Sequence, residues 1–188
     1  MTTATARRLA GARIPAIGAI AFALVLAAAS QVAIPLPGTP VPITLQPLVV
    51  VLAGLVLGPG AAAASMAMYL VAGAVGLPVF APIGAPGIGR LFGPTGGYLL
   101  AYPAAAVVAG LLGWRPRERQ PLTFARRAIA AVAGILVLYA GGVAQLAVLT
   151  GDLGRAVAIG VPPFIAFDAL KAIVAAALAG VLATRLRR

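Results

Sequence analysis

Gln31-Val32-Ala33-Ile34-Pro35-Leu36-Pro37-Gly38-Thr39-Pro40-Val41-Pro42-Ile43-Thr44-Leu45-Gln46-Pro47 places five prolines within thirteen positions, directly between two long apolar stretches. Each proline lacks an N–H and clashes with the preceding turn, so this segment cannot continue a helix. It is expected to be an extended or polyproline-like stretch joining two membrane helices. Hydrocarbon would leave its backbone groups unsatisfied, so it must face water, line a cavity or cover a site. A rigid connector is the plainer alternative.

The rest of the chain explains why the flanking stretches are read as membrane helices. Of 188 residues, 62% are apolar and only 9% are charged, far from the roughly one quarter charged in soluble domains. Mean hydropathy is +1.09. A net charge of +11 could suggest a nucleic-acid partner, but the placement of the charges argues against one. Eleven of the fourteen basic residues fall in three groups: Arg7, Arg8 and Arg13; Arg115, Arg117, Arg119, Arg126 and Arg127; Arg185, Arg187 and Arg188. These are the two ends and one central loop, the pattern expected of segments held on the cytoplasmic side of a membrane.

Six spans fit the apolar segments of a single domain over residues 1–188: about 14–34, 45–57, 61–77, 96–113, 128–149 and 161–183. The fold expected is therefore an all-α integral membrane protein, a compact six-transmembrane-helix bundle with both termini cytoplasmic. Arg7, Arg8 and Arg13 before an apolar run ending in Ala28-Ala29-Ser30 imitate a signal peptide, but the run continues to Ile34 and reads as a retained first helix. Along that helix Ala12 and Ala16, then Ala19, Ala23 and Ala27, repeat every four residues. Such a smooth face suits close packing, either within the bundle or against a partner membrane protein.

Asp168 and Lys171 lie inside the sixth expected span, seven and ten residues from its outer end. At about 1.5 Å per residue that is roughly 10 to 15 Å deep. Each charge costs on the order of 3 kcal/mol in a membrane, so neither should face lipid. Their i, i+3 spacing puts them on one helix face. They form either a self-neutralising pair locking helices together or an open polar site, with lysine as cationic donor and aspartate as acceptor. Arg90, on the outer glycine-rich loop, is a candidate second cation or a solvated loop residue.

Covalent chemistry finds no support. The chain has no cysteine or histidine and only two serines, Ser30 and Ser65, so no activated nucleophile can be assembled. Three acidic residues cannot build a multi-carboxylate metal site, and the sole lysine follows Leu170, which excludes a phosphate-cradling loop. Neither catalytic nor metal-binding residues are expected, nor a cofactor. A binding protein remains.

The Gln31–Pro47 segment closely resembles the signature of BioY-type proteins, the biotin-binding S components of energy-coupling-factor (ECF) vitamin transporters. Three further stretches agree, in the family's order: Tyr69–Phe80, Gly93–Leu99 and Pro163–Lys171. The resemblance spans almost the whole chain, although Ala81–Pro86 is less glycine-rich than the family's pattern. It implies the six-helix S-component fold, biotin bound near the outer face beneath the loop after the first helix, and location in a prokaryotic cytoplasmic membrane. It also implies uptake powered by an ECF module of a transmembrane T subunit and two ATPase subunits, docking on small-residue faces that include the first helix. Biotin has a carboxylate tail, a ureido ring with two N–H donors and a carbonyl, and an apolar sulfur-containing ring. On this resemblance Asp168 suits the ureido N–H groups and Lys171 the carboxylate or ureido oxygen. Gln46 and Thr44 offer polar partners, and Phe80, Tyr98 and Phe164 could flank the ring. The alternatives are an S component for another vitamin, or a biotin transporter acting without an ECF module.

Overall fold

Glycine and proline set where the helices of this chain begin and end. The computed structural model describes the backbone of residues 3–115 and 122–185, and side chains over 16–115 and 122–184. The side chain of Ala12, and those of Arg7, Arg8, Arg13, Arg117, Arg119, Arg185, Arg187 and Arg188, lie outside the described residues. In chain order the elements are α1 (Thr3–Ser30), β1 (Ala33–Ile34), β2 (Ile43–Thr44), α2 (Gln46–Leu57), α3 (Pro59–Ala74), α4 (Gly89–Phe92), α5 (Gly96–Gly113), α6 (Phe124–Thr150), α7 (Leu153–Gly160) and α8 (Ile165–Arg185).

The proline-rich segment is not helical, as expected, but it is more ordered than a polyproline stretch. α1 stops at Ser30, four residues short of the expected end. Pro35 pushes Ile34 to extended geometry, and β1 then pairs antiparallel with β2, Ala33 opposite Thr44 and Ile34 opposite Ile43. Those four residues keep their N–H groups; Pro35, Pro37, Pro40 and Pro42 sit in the connecting loop, where no ladder bond is needed. Ser30 and Gln31 tie this corner to the loop after α3. Ser30 Oγ donates to the Val79 carbonyl at 2.6 Å, and Gln31 Nε2 to Ser30 Oγ at 2.8 Å and the Phe80 carbonyl at 3.3 Å.

α2 carries Pro47 in its first turn, where a missing donor costs nothing. It turns into α3 through Gly58, with φ at 81°, and Pro59 opens the next helix. α2 is the inner helix: Val49 through Leu55 are buried, and it touches α1, α3, α5, α6 and α8. The most extensive pairing is α5 against α6, where backbones nearly touch. A Cβ on Gly97 would lie 2.2 Å from the Gly141 carbonyl oxygen, and one on Gly141 would lie 2.6 Å from that of Gly97. Leu26, Val50, Met66, Tyr69 and Leu146 fill the interior.

Large apolar side chains such as Leu24, Val75, Ile129 and Val148 point outward, an arrangement unfavourable in water and suited to lipid. α5, α6 and residues 165–184 of α8 are long and apolar enough to cross a membrane; α2, α3 and the described apolar part of α1 are shorter. Two elements had no counterpart in the expected spans. α4 interrupts the loop before α5, and α7 occupies the turn before α8. α7 begins where the Asp152 side chain accepts from the Arg155 N–H, a local cap. Because Pro162 and Pro163 follow α7, α8 begins only at Ile165. Asp168 therefore sits in its first turn, so the two charges lie three and six residues in from the start of the helix and not seven and ten.

A candidate ligand-binding cavity

The first turns of α2, α5 and α8 meet around one cavity of about 670 Å³ including its open mouth. β2 and the loop after α3 form further walls, and Leu138 and Tyr139, midway along α6, extend it toward the centre of that helix. Three helix N-termini give its walls a positive bias. All eight residues expected to bind ligand line it: Thr44, Gln46, Phe80, Arg90, Tyr98, Phe164, Asp168 and Lys171.

Asp168 and Lys171 are buried, and Lys171 Nζ donates to Asp168 Oδ1 at 2.7 Å. Position in the first turn of α8 also favours the aspartate's negative charge. Its other oxygen, Oδ2, accepts from Tyr139 Oη at 2.8 Å. The two charges neutralise one another within α8, and both line the cavity.

Gln46 is buried, and its Nε2 donates to Tyr69 Oη at 2.7 Å. With one amide end anchored, its carbonyl oxygen remains as an acceptor. Tyr69 stacks with Tyr102 and meets the edge of Phe80, whose ring lies flat against Gly73. Tyr98 donates to the Gly160 carbonyl at 2.7 Å, and its ring rests on Gly142. These aromatic walls owe their placement to glycines on the neighbouring helices.

Arg90 is not a solvated loop residue. It is buried, and its guanidinium donates to the carbonyls of Ala81, Ile83 and Ala85, gathering the loop after α3 around itself. Burial pushes its pKa below the ordinary guanidinium value. Gln145 supports the same corner from α6, donating to the carbonyls of Leu91 and Gly93 at the end of α4. The alanine stripe of α1 divides: Ala19 is buried, Ala23 and Ala27 pack against the chain's own core, and Ala16 is exposed.

Tyr139, Tyr102 and Thr95 line the cavity without having been singled out in the sequence. A lone phenol in an apolar span was the available signal, since a buried hydroxyl needs a partner.

The sequence model of the BioY family matches residues 3–188. The chain belongs to the BioY family. Relatives of this BioY protein include a probable biotin transporter of Pyrococcus horikoshii, 41% identical over 74% of this chain and 79% of the relative. The biotin transporter of Thermotoga maritima is 39% identical over 84% of this chain and 89% of the relative. The fold matches the crystal structure of the S-component for biotin from an ECF-type ABC transporter, with a TM-score of 0.77 and 23% identity. That match covers 98% of this chain and 95% of that one.

Proposed function

We propose that this BioY protein binds biotin in the cavity and carries it across the cytoplasmic membrane as the substrate-specific subunit of an ECF-type transporter. The observation that carries the reading is the convergence of Asp168, Lys171 and Gln46 on one cavity whose other walls are largely apolar and aromatic. In a low-dielectric pocket, an ionised acceptor facing N–H donors and an ammonium facing an oxygen fix one ligand orientation. Biotin's ureido ring offers its N–H groups to Asp168. Lys171 takes an oxygen, and Phe80, Tyr98 and Phe164 enclose the apolar ring. The names of the relatives support biotin over other vitamins.

In this reading six helices, α1, α2, α3, α5, α6 and α8, cross the membrane with both ends on the cytoplasmic side, where the arginine clusters of the sequence would then lie. The cavity opens outward beneath the β1–β2 loop. The chain itself performs no covalent chemistry; energy comes from a T subunit and two ATPases. α1 is the proposed docking element. Because Ala19, Ala23 and Ala27 are engaged within the bundle, Ala16 and its outward neighbours are the part of the stripe a partner reaches without displacing another helix.

The test is uptake of labelled biotin by a biotin-requiring bacterium lacking its own transporter, expressing this chain with or without an ECF module. Accumulation competed by unlabelled biotin but not by thiamine or riboflavin supports the reading. No accumulation under either condition, with the protein present in the membrane, contradicts it.

A further inference from the structure

The Asp168 carboxylate is engaged on both oxygens, by Lys171 at Oδ1 and by Tyr139 at Oδ2. A carboxylate paired with an ammonium can only accept, so the single hydroxyl proton of Tyr139 is committed to Oδ2. Tyr139 also lines the cavity, and with its proton spent it offers only lone pairs there. Nothing else described competes for Oδ2. The Tyr98 hydroxyl is taken by the Gly160 carbonyl, and α2, packed along α8, contributes no ionisable side chain.

Lys171 alone would not hold this geometry. The terminal torsion of an aspartate is broad, so a carboxylate anchored only at Oδ1 can turn and close both oxygens on the ammonium. That rotation withdraws the acceptor from the cavity. Tyr139 approaches from a different helix, α6, and opposes it.

We infer that Tyr139 is a positioning residue that sets ligand specificity: by holding Oδ2 it keeps an acceptor-only edge on the cavity and so selects ligands that present N–H donors. The inference rests on the biotin reading and deepens it. It divides the pocket into an accepting wall, Asp168 with Tyr139, and a donating one at Lys171.

The experiment compares biotin with the two cyclic carbamate analogues in which an oxygen replaces one ureido N–H, titrated into the purified protein and its Tyr139→Phe variant. The unaltered protein should prefer biotin to the better-matched carbamate by on the order of tenfold or more, the cost of losing one charge-assisted hydrogen bond. Tyr139→Phe should lose most of that preference. It should keep the parent's preference between biotin and its tail amide, which differ away from the ring. A merely structural role would weaken every ligand in proportion, and unchanged ratios would overturn the inference.

Lys171→Met, titrated at alkaline pH so that Asp168 stays ionised without its ammonium partner, supplies a second test that does not depend on folding of the phenylalanine variant. It should bind all ligands more weakly yet retain the N–H preference, because Tyr139 still holds Oδ2. A preference that collapses in Lys171→Met assigns the orientation to the lysine and overturns the inference. If the unaltered protein binds no biotin, the biotin reading itself falls; if it binds biotin and Tyr139→Phe leaves the ratios intact, only this inference does.

Discussion

Gly142→Ala should damage the ligand site without touching a ligand. Built on the Gly142 backbone, a Cβ would lie 2.1, 2.2 and 2.3 Å from three ring carbons of Tyr98. Carbon atoms settle at about 3.5 to 4.0 Å, so the ring must retreat by well over an ångström. Its hydroxyl end has little freedom, being bonded to the Gly160 carbonyl at 2.7 Å, and Tyr98 lines the cavity. Overpacking of this kind typically costs about 1–3 kcal/mol of stability. If the same strain is relieved by pushing the ring into the pocket, biotin affinity falls by roughly ten- to a hundredfold. Gly60→Ala is the control: it is an exposed helical position with nothing within 4 Å of the added methyl. It should be neutral or stabilising by up to about 1 kcal/mol. Thermal unfolding in detergent and calorimetric titration with biotin read both effects. Parent-like stability and affinity in Gly142→Ala would refute the claim that this glycine seats Tyr98.

Three other outcomes follow from particular contacts. Ser65 is fully buried on α3 and its hydroxyl has no partner among the described residues. Ser65→Ala should therefore leave melting temperature unchanged or raise it, since an unpaired buried hydroxyl costs about 1–3 kcal/mol; a clear drop would reveal a missing partner. Gly84 has φ at 107°, and a Cβ there would come within 2.7 Å of Arg90 Nη1. Gly84→Ala should loosen the Arg90-centred loop, seen as faster proteolysis at residues 81–86 while the helices stay protected; an unchanged pattern would show the loop is held otherwise. Lys171→Met alone should destabilise the ligand-free protein more than Asp168→Asn with Lys171→Met together, because the single change strands a buried charge. The opposite order in melting temperature would mean the pair is not a closed ion pair.

The parts of this molecule written in local chemistry were readable in advance. Proline clustering announced the break after α1, the gap between the expected spans 45–57 and 61–77 holds the turn between α2 and α3, and α5 spans the expected residues, 96–113. The β1–β2 pairing was not legible, because it joins residues nine and eleven apart in a segment whose composition signals only irregularity. α7 was hidden because its eight residues are too short for hydropathy and continue into an apolar run. That omission also misplaced the start of the helix, and with it the position of Asp168 along α8. Candidate site residues were visible when their chemistry was out of place for a membrane, as with Asp168, Lys171 and Arg90. Tyr139 was not, because a phenol is tolerated in an apolar span; only the fold shows its hydroxyl on Asp168. Nor could spacing alone say that most of the α1 alanine stripe packs inward, since packing inside a bundle and docking outside it ask for the same small residues.

The most direct measurement is calorimetric titration of the purified protein with biotin beside an Asp168→Asn, Lys171→Met double variant. The account predicts saturable one-site binding by the parent, lost in a variant that melts no earlier than the parent. Equal binding by both proteins would place the ligand somewhere other than this cavity and contradict the account.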